Sequence, residues 1–235
     1  YYVVLSTASP YVHYASQADI LAGTEVWASN SAGIVGTPRA LWSLASSQTW
    51  VVGTLGYVYK YTSITGAPTV QTDGSVTSQN LNAIHGSDAD TIVAVGASNA
   101  VIYTTDGGLN WLSVTGPAVG VALNTVWVKD ADTWFVGTAG GALWYTDDAG
   151  VSWTAISLPV TATGVQMIKF NETPSQTVGW LLVTVAGPIA YVLRSLDGGA
   201  SWDRLPKTGT ALAADEFNDI ALCSNVNIAY VGGLA

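Results

Sequence analysis

The sequence predicts an all-β domain assembled from repeated four-stranded units, and three observations predict it. An eight-residue stretch is written three times: Thr104-Thr105-Asp106-Gly107-Gly108-Leu109-Asn110-Trp111, Thr146-Asp147-Asp148-Ala149-Gly150-Val151-Ser152-Trp153 and Ser195-Leu196-Asp197-Gly198-Gly199-Ala200-Ser201-Trp202. The first two copies lie in longer matching segments, with an offset of 42 residues at Leu81/Leu123, Asp88/Asp130, Asp90/Asp132, Tyr103/Tyr145 and Trp111/Trp153. Charged residues make up only 10 % of the 235, against roughly 25 % in an ordinary soluble domain. Small and β-branched residues take their place, as many short strands require.

The shared pattern is Ser/Thr-x-Asp-x-Gly-x-x-Trp, carried by Thr104, Asp106, Gly108 and Trp111, by Thr146, Asp148, Gly150 and Trp153, and by Ser195, Asp197, Gly199 and Trp202. The hydroxyl and carboxylate can bind backbone N–H groups inside a tight turn. The glycine supplies a positive φ that a β-branched residue reaches only at cost. The tryptophan is a large apolar anchor whose ring N–H needs one partner. Together they describe a hairpin turn pinned to a core and imply no reacting group.

Repeats of about 40–45 residues are the period of propeller blades with four strands each. Residues 81–117 and 123–159 each parse as strand, Asp-rich turn, strand, Gly turn, strand, box turn, strand. Residues 39–72 are a weaker copy: stepping back 42 from Thr104 reaches Thr62, where Thr and Gly remain but Asp and Trp do not. Residues 165–207 are longer, with 49 rather than 42 residues between Thr146 and Ser195, and the excess is expected around Asn171–Thr177. At the end of the chain Phe217-Asn218-Asp219-Ile220 opens a unit like Leu81-Asn82-Ala83-Ile84, and Tyr230-Val231-Gly232-Gly233 continues it. Residues 1–16 supply what looks like a third strand, a decayed box from Ser6 and a fourth strand with His13 in the Trp position.

The expectation is therefore a single β-propeller domain over 1–235. Its five blades are 217–235 joined to 1–16, then 39–72, 81–117, 123–159 and 165–207, with 17–38 a long connection or extra hairpin. Strand exchange between the termini would close the ring and remove exposed strand edges. The alternative is a fragment of a six- or seven-bladed propeller.

The repeated stretch resembles the Asp-box, or bacterial neuraminidase repeat, of β-propellers such as sialidases, sortilin-type receptors and photosystem II assembly factors. The resemblance implies the propeller scaffold, and the same scaffold serves enzymes, receptors and assembly factors. Sialidases of this type bind the substrate carboxylate with three arginines, and here only Arg39, Arg194 and Arg204 exist. Arg194 precedes a box and Arg204 follows its Trp, which puts both on outer strands. The Arg-Ile-Pro signature is replaced by Pro38-Arg39-Ala40. Assembly factors of this type carry an arginine-rich patch that three arginines cannot supply.

Net charge is −9, so a nucleic-acid partner, which demands basic surface, is not expected. No apolar run approaches the ~18 residues of a membrane span. With one cysteine, Cys223, an internal disulfide is impossible. The paired acids Asp88/Asp90 and Asp130/Asp132 could serve metal binding or acid–base chemistry. Their recurrence in consecutive units fits turn capping better. Two histidines, His13 and His85, support no Ser-His-Asp set, and neither a metal nor a cofactor is expected. Trp50, Trp134 and Trp180 fall in apolar second strands and read as core; Trp27 and Tyr11 read as rim aromatics suited to a sugar or a partner.

At corresponding positions of the innermost strands stand Ser43, His85, Trp127, Lys169 and Ala221. Innermost strands border a propeller's axis, so His85, Trp127 and Lys169 are candidates for a ligand surface, with inter-blade packing as the plainer reading. The sequence thus points to a non-catalytic structural or binding propeller, extracellular or on a cell or virion surface, engaging protein or glycan and able to self-assemble. The alternatives are a glycoside hydrolase or lyase using carboxylates from Asp19, Glu25, Asp73, Glu172, Asp215, Glu216 and Asp219, and an assembly chaperone for a larger complex.

Overall fold

A computed structural model describes residues 2–6, 11–15, 21–22, 27–30, 33–45, 47–117, 120–173, 176–187, 189–205, 216–222 and 229–234. Cys223, Asp19, Glu25 and Asp215 lie outside them. The chain divides into two compact units, Tyr1–Thr115 and Gly116–Ala235.

In the first unit, β1 (Tyr2–Ser6), β2 (Tyr11–Ala15) and β3 (Ala28–Asn30) form an antiparallel sheet in that order. The third strand comes from the segment expected to be a connection or extra hairpin, and it lies along β2. Two four-stranded antiparallel meanders follow: β4 (Pro38–Ala45), β5 (Gln48–Gly53), β6 (Tyr57–Tyr61) and β7 (Thr69–Asp73), then β8 (Leu81–Gly86), β9 (Ile92–Gly96), β10 (Ala100–Thr104) and β11 (Leu112–Thr115). The second unit repeats the plan with β12 (Leu123–Val128), β13 (Trp134–Thr138), β14 (Leu143–Thr146) and β15 (Thr154–Ile156), then β16 (Ala162–Thr173), β17 (Gln176–Val185), β18 (Ile189–Ser195) and β19 (Asp203–Arg204). A two-stranded sheet of β20 (Glu216–Leu222) and β21 (Ala229–Leu234) ends it. Among the described residues β1–β3 and β20–β21 are separate sheets, and the ladder that would close a ring is not found.

Second strands are buried at nearly every position. Ile92–Gly96 is buried throughout, as are Thr49–Gly53 and Trp134–Thr138. This is why they read as continuous apolar runs rather than alternating ones: both faces of the strand are covered. Trp50, Trp134 and Trp180 are 0 %, 0 % and 4 % exposed, which places them in the core. In the first unit Trp50, Val52, Val58, Leu81, Ile84, Ile92, Ala94, Ile102 and Trp111 form one cluster that spans the two meanders. In the second, Phe135, Leu143, Val165, Ile168, Phe170, Leu181, Val183, Leu193 and Trp202 do the same.

Innermost strands open on a recurring irregularity. Register shifts fall between Pro38 and Ala40, Leu81 and Ala83, Leu123 and Thr125, and Phe217 and Asp219. Each is a bulge, one extra residue that bends the strand and raises its twist. The longer unit gains length in two hairpins rather than around Asn171–Thr177 alone. The β16/β17 ladder reaches Thr173↔Gln176. The β17/β18 ladder runs from Gly179↔Ser195 to Val185↔Ile189, where β13/β14 runs only from Trp134↔Thr146 to Gly137↔Leu143. Both hairpins can lengthen because paired strands satisfy their own backbone groups.

Candidate functional site

The three boxes share one hydrogen-bond network. In the first, the Thr104 hydroxyl donates to Asp106 Oδ1 at 2.8 Å and accepts from the N–H groups of Gly108 at 3.0 Å and Asp106 at 3.3 Å. Asn110 donates from its N–H to Asp106 Oδ1 at 2.9 Å and from its side-chain amide to Oδ2 at 2.7 Å. Asp148 is held in the same way by Thr146 and Ser152, and Asp197 by Ser195 and Ser201. The residue before the Trp was an open position in the sequence pattern, yet Asn110, Ser152 and Ser201 each give the carboxylate two bonds. The signal was present: all three are short polar side chains.

These bonds favour the ionised acid. The N–H and amide of Asn110, with the Thr104 hydroxyl, hold Asp106 down to about 2. The Ser201 hydroxyl and N–H do the same for Asp197, also about 2. Asp148 is lowered chiefly by the Ser152 hydroxyl and N–H. Burial works against ionisation of Asp88, but the N–H groups of Thr91 and Asp90 outweigh it and lower its pKa. Asp130 likewise accepts from the N–H groups of Asp132 and Thr133 at 3.1 and 2.7 Å. These recurring acids fasten their own turns.

The innermost-strand row has a different character. The same turn-closing bond joins Thr54 to Thr37, Ala97 to Asn80 and Ala139 to Ala122, and five residues beyond its acceptors stand Trp42, His85 and Trp127. Lys169, paired with Trp180 and followed by Phe170↔Gly179↔Ser195, holds the same register in the longer unit. Trp42 therefore takes the place expected for Ser43. The decayed box offered no Asp or Trp to count from, so a 42-residue step landed one residue late. Ser43 itself is exposed and bonds Thr49 Oγ1 at 2.9 Å and the Ala45 carbonyl at 3.1 Å. Ala221, on β20, pairs with Tyr230 of β21.

Trp42, His85, Trp127 and Lys169 are all half-buried. In the first unit the Trp42 and His85 rings lie 5.9 Å apart at 51°, and a Cβ added to Gly86 would come within 2.6 Å of Trp42. In the second, Trp127 lies 5.8 Å from Phe170 at 46°. Gly86 and Phe170 both follow the row position of the next sheet. Each tryptophan thus packs against its neighbour sheet and stays half-buried. The row carries an aromatic ring and an imidazole in the first unit, and an aromatic ring and an ammonium in the second.

The remaining candidates scatter. Across β18 and β19 Arg194 pairs with Asp203 and Arg204 with Leu193, which puts the two arginines on opposite faces, and the Arg204 guanidinium lies 3.8 Å from the centroid of the Tyr191 ring. Arg39 is exposed near the start of β4. Asp73 accepts from the Ser75 N–H at 3.3 Å in an exposed turn. Glu172 is on β16, and Glu216 and Asp219 are on β20. His13 bonds Ser29 at 3.0 Å across β2 and β3, and Trp27 is 42 % exposed. Among the described residues no three His, Cys, Asp or Glu side chains gather as a metal site, and no helix is long and apolar enough to cross a membrane.

No protein-family model matches the chain, and no curated protein matches it. Solved structures do. YCF48 from Cyanidioschyzon merolae is similar over 97 % of this chain and 73 % of its own, at 15 % identity and a TM-score of 0.67. YCF48 bound to D1 peptide is similar over 80 % of this chain at 17 % identity and a TM-score of 0.59, and this chain covers 59 % of it. Virginiamycin B lyase from Staphylococcus aureus is similar over 93 % of this chain and 72 % of its own, at 12 % identity and a TM-score of 0.71. An assembly of antiparallel four-stranded sheets with these likenesses is a propeller-type, all-β fold.

Proposed function

We propose that this chain is a non-catalytic binding propeller whose partner is a protein segment, taken up in the second unit through the innermost-strand residues Trp127 and Lys169. The observation that carries this reading is the row itself. Trp42, His85, Trp127 and Lys169 share one register yet differ in chemistry, and all are half-buried. The box, by contrast, repeats one chemistry in each copy. The likeness to YCF48 bound to D1 peptide supports a polypeptide partner. Boxes with this hydrogen bonding also support kinship with Asp-box propellers. The low charged fraction of 10 % suits an extracellular, cell or virion surface crowded by neighbours.

The test is a peptide array and a glycan array probed with the purified chain, beside turnover assays on sialosides and other glycosides. The expected outcome is peptide binding that Trp127→Ala and Lys169→Ala weaken at least about tenfold, the scale of losing one aromatic or cationic anchor. Measurable turnover, or peptide binding indifferent to both substitutions, would sink the proposal. Selective glycan binding lost in the same variants would move the partner class and keep the surface.

A further inference from the structure

A slot beside the third box differs from its counterpart beside the first in a way that names a ligand. In the first unit, Lys60 on β6 reaches the box of the next sheet: its ammonium donates to the Gly107 carbonyl at 2.8 Å and lies 4.6 Å from the centroid of the Trp50 ring. Gln71 is bulged out of the β6/β7 ladder and comes so close that a Cβ on Gly108 would stand 2.6 Å from its Oε1. Side chains fill this slot.

In the second unit the same elements leave it open. Phe135 takes the place of Trp50, Tyr145 that of Lys60, and Gly198-Gly199 that of Gly107-Gly108. The β14/β15 ladder has no bulge to supply a second Gln71. A cavity of about 540 Å³ results, bounded by Phe135, Tyr145, Ile156, Lys129 and the Gly198–Ala200 turn. A Cβ added at Gly107 meets Asp90, Ala89 and Lys60 within 4 Å, while one added at Gly198 meets nothing.

We infer that this slot binds the ammonium of a lysine side chain from a partner polypeptide, on the Gly198 carbonyl and the Phe135 and Tyr145 rings, as Lys60 binds within the chain. Aromatic faces and a carbonyl attract a cation, more strongly where water is displaced. The exposed Asp130, Asp132 and Asp197 in the bordering turns add to the attraction, and the chain's net charge is −9. Lys129 opposes it as the one lining cation. An extended segment is the natural carrier, because β15 is the outer strand of its sheet and offers an edge for backbone pairing.

The experiment titrates the ¹⁵N-labelled full chain with an acetylated, amidated pentapeptide Thr-Ser-Lys-Ser-Thr and with its norleucine and glutamate analogues, following the amides of Gly198, Gly199 and Ala200. The lysine peptide is expected to shift these amides saturably, and the norleucine peptide to bind about tenfold more weakly. Lys129→Ala should tighten binding by removing a competing cation. Ala155→Arg, at an exposed position on the slot's edge, should weaken it without burdening the fold. Equal binding of the norleucine peptide would show an apolar slot and overturn the inference. Preference for glutamate, lost in Lys129→Ala, would overturn it in favour of an anion site, and silent amides would refute it outright. The slot shares no residue with the innermost-strand row, so failure at either place leaves the other standing.

Discussion

Adjacent glycines in the first box should respond very differently to the same methyl group. Gly107 has φ +68° and Gly108 φ +89°, and alanine costs about 1–2 kcal/mol in the left-handed region wherever it is placed. At Gly107 the added Cβ would meet Asp90 Oδ1 at 3.2 Å, the end of a side chain that can turn aside. Ala149 already occupies the matching place in the second box at φ +56°. At Gly108 the Cβ would lie 2.5 Å from the rim of Trp50, which is fully buried and cannot retreat. Overpacking adds about 1–3 kcal/mol. Gly107→Ala should therefore cost about 1–2 kcal/mol and Gly108→Ala about 2–5 kcal/mol. Urea unfolding followed by tryptophan fluorescence reads the difference as a midpoint shift, with m unchanged. Equal losses in the two variants would refute the packing argument, since both share the backbone penalty.

Removing the box hydroxyl by Thr104→Val should cost about 1–3 kcal/mol, because the N–H groups of Gly108 and Asp106 lose their acceptor inside the turn; thermal melting against Thr69→Val, an exposed control, checks it. Asp106 and Asp197 are held at about 2, below their ordinary value of 3.8, so their contribution is complete above pH 4 and fades as pH falls from 4 towards 2. Melting temperatures between pH 5 and pH 2 should fall accordingly, and Asp106→Asn should flatten that slope while lowering stability at neutral pH. Burial, with the neighbouring Tyr59, pushes Tyr61 up to about 12 from 10.0, so its contribution is complete below pH 10 and is lost as pH rises through 12. Absorbance at 295 nm should show late-ionising phenols, Tyr59 being raised by burial as well, and Tyr61→Phe should remove the component near pH 12; a titration complete by pH 11 in the parent would contradict its burial.

The four-stranded plan could be read from the sequence because Leu81, Asp88, Tyr103 and Trp111 each recur at one spacing in the next unit. Such agreement holds only where neither unit has gained or lost a residue. In residues 39–72 the box lost its Asp and Trp, and the surviving reference is the turn Gly53-Thr54-Leu55-Gly56, whose closing bond to Thr37 is visible only in three dimensions. The 42-residue spacing therefore points to Ser43, where the fold places Trp42. Strand length was hidden for a similar reason: β16 and β17 extend by adding paired residues, and a paired residue leaves no turn signal. The innermost-strand row could be aligned from sequence, but its half-burial could not, because it depends on what the next sheet places opposite, Gly86 under Trp42 and Phe170 beside Trp127. The slot by Gly198 left no mark at all, being defined by Gln71 having no counterpart on β15.

The box bonds have a kinetic consequence. Every bond that holds Asp106 comes from within the eight residues Thr104–Trp111, as it does for Asp148 and Asp197 in their own stretches. Closing so short a loop takes well under a microsecond, whereas sheets joined over distant parts of a chain assemble orders of magnitude more slowly. The turns can therefore be in place while the sheets are still searching for one another. What remains for the slow step is seating Gly108 on Trp50 and Gly199 on Phe135, a contact that tells each meander which neighbour it has met.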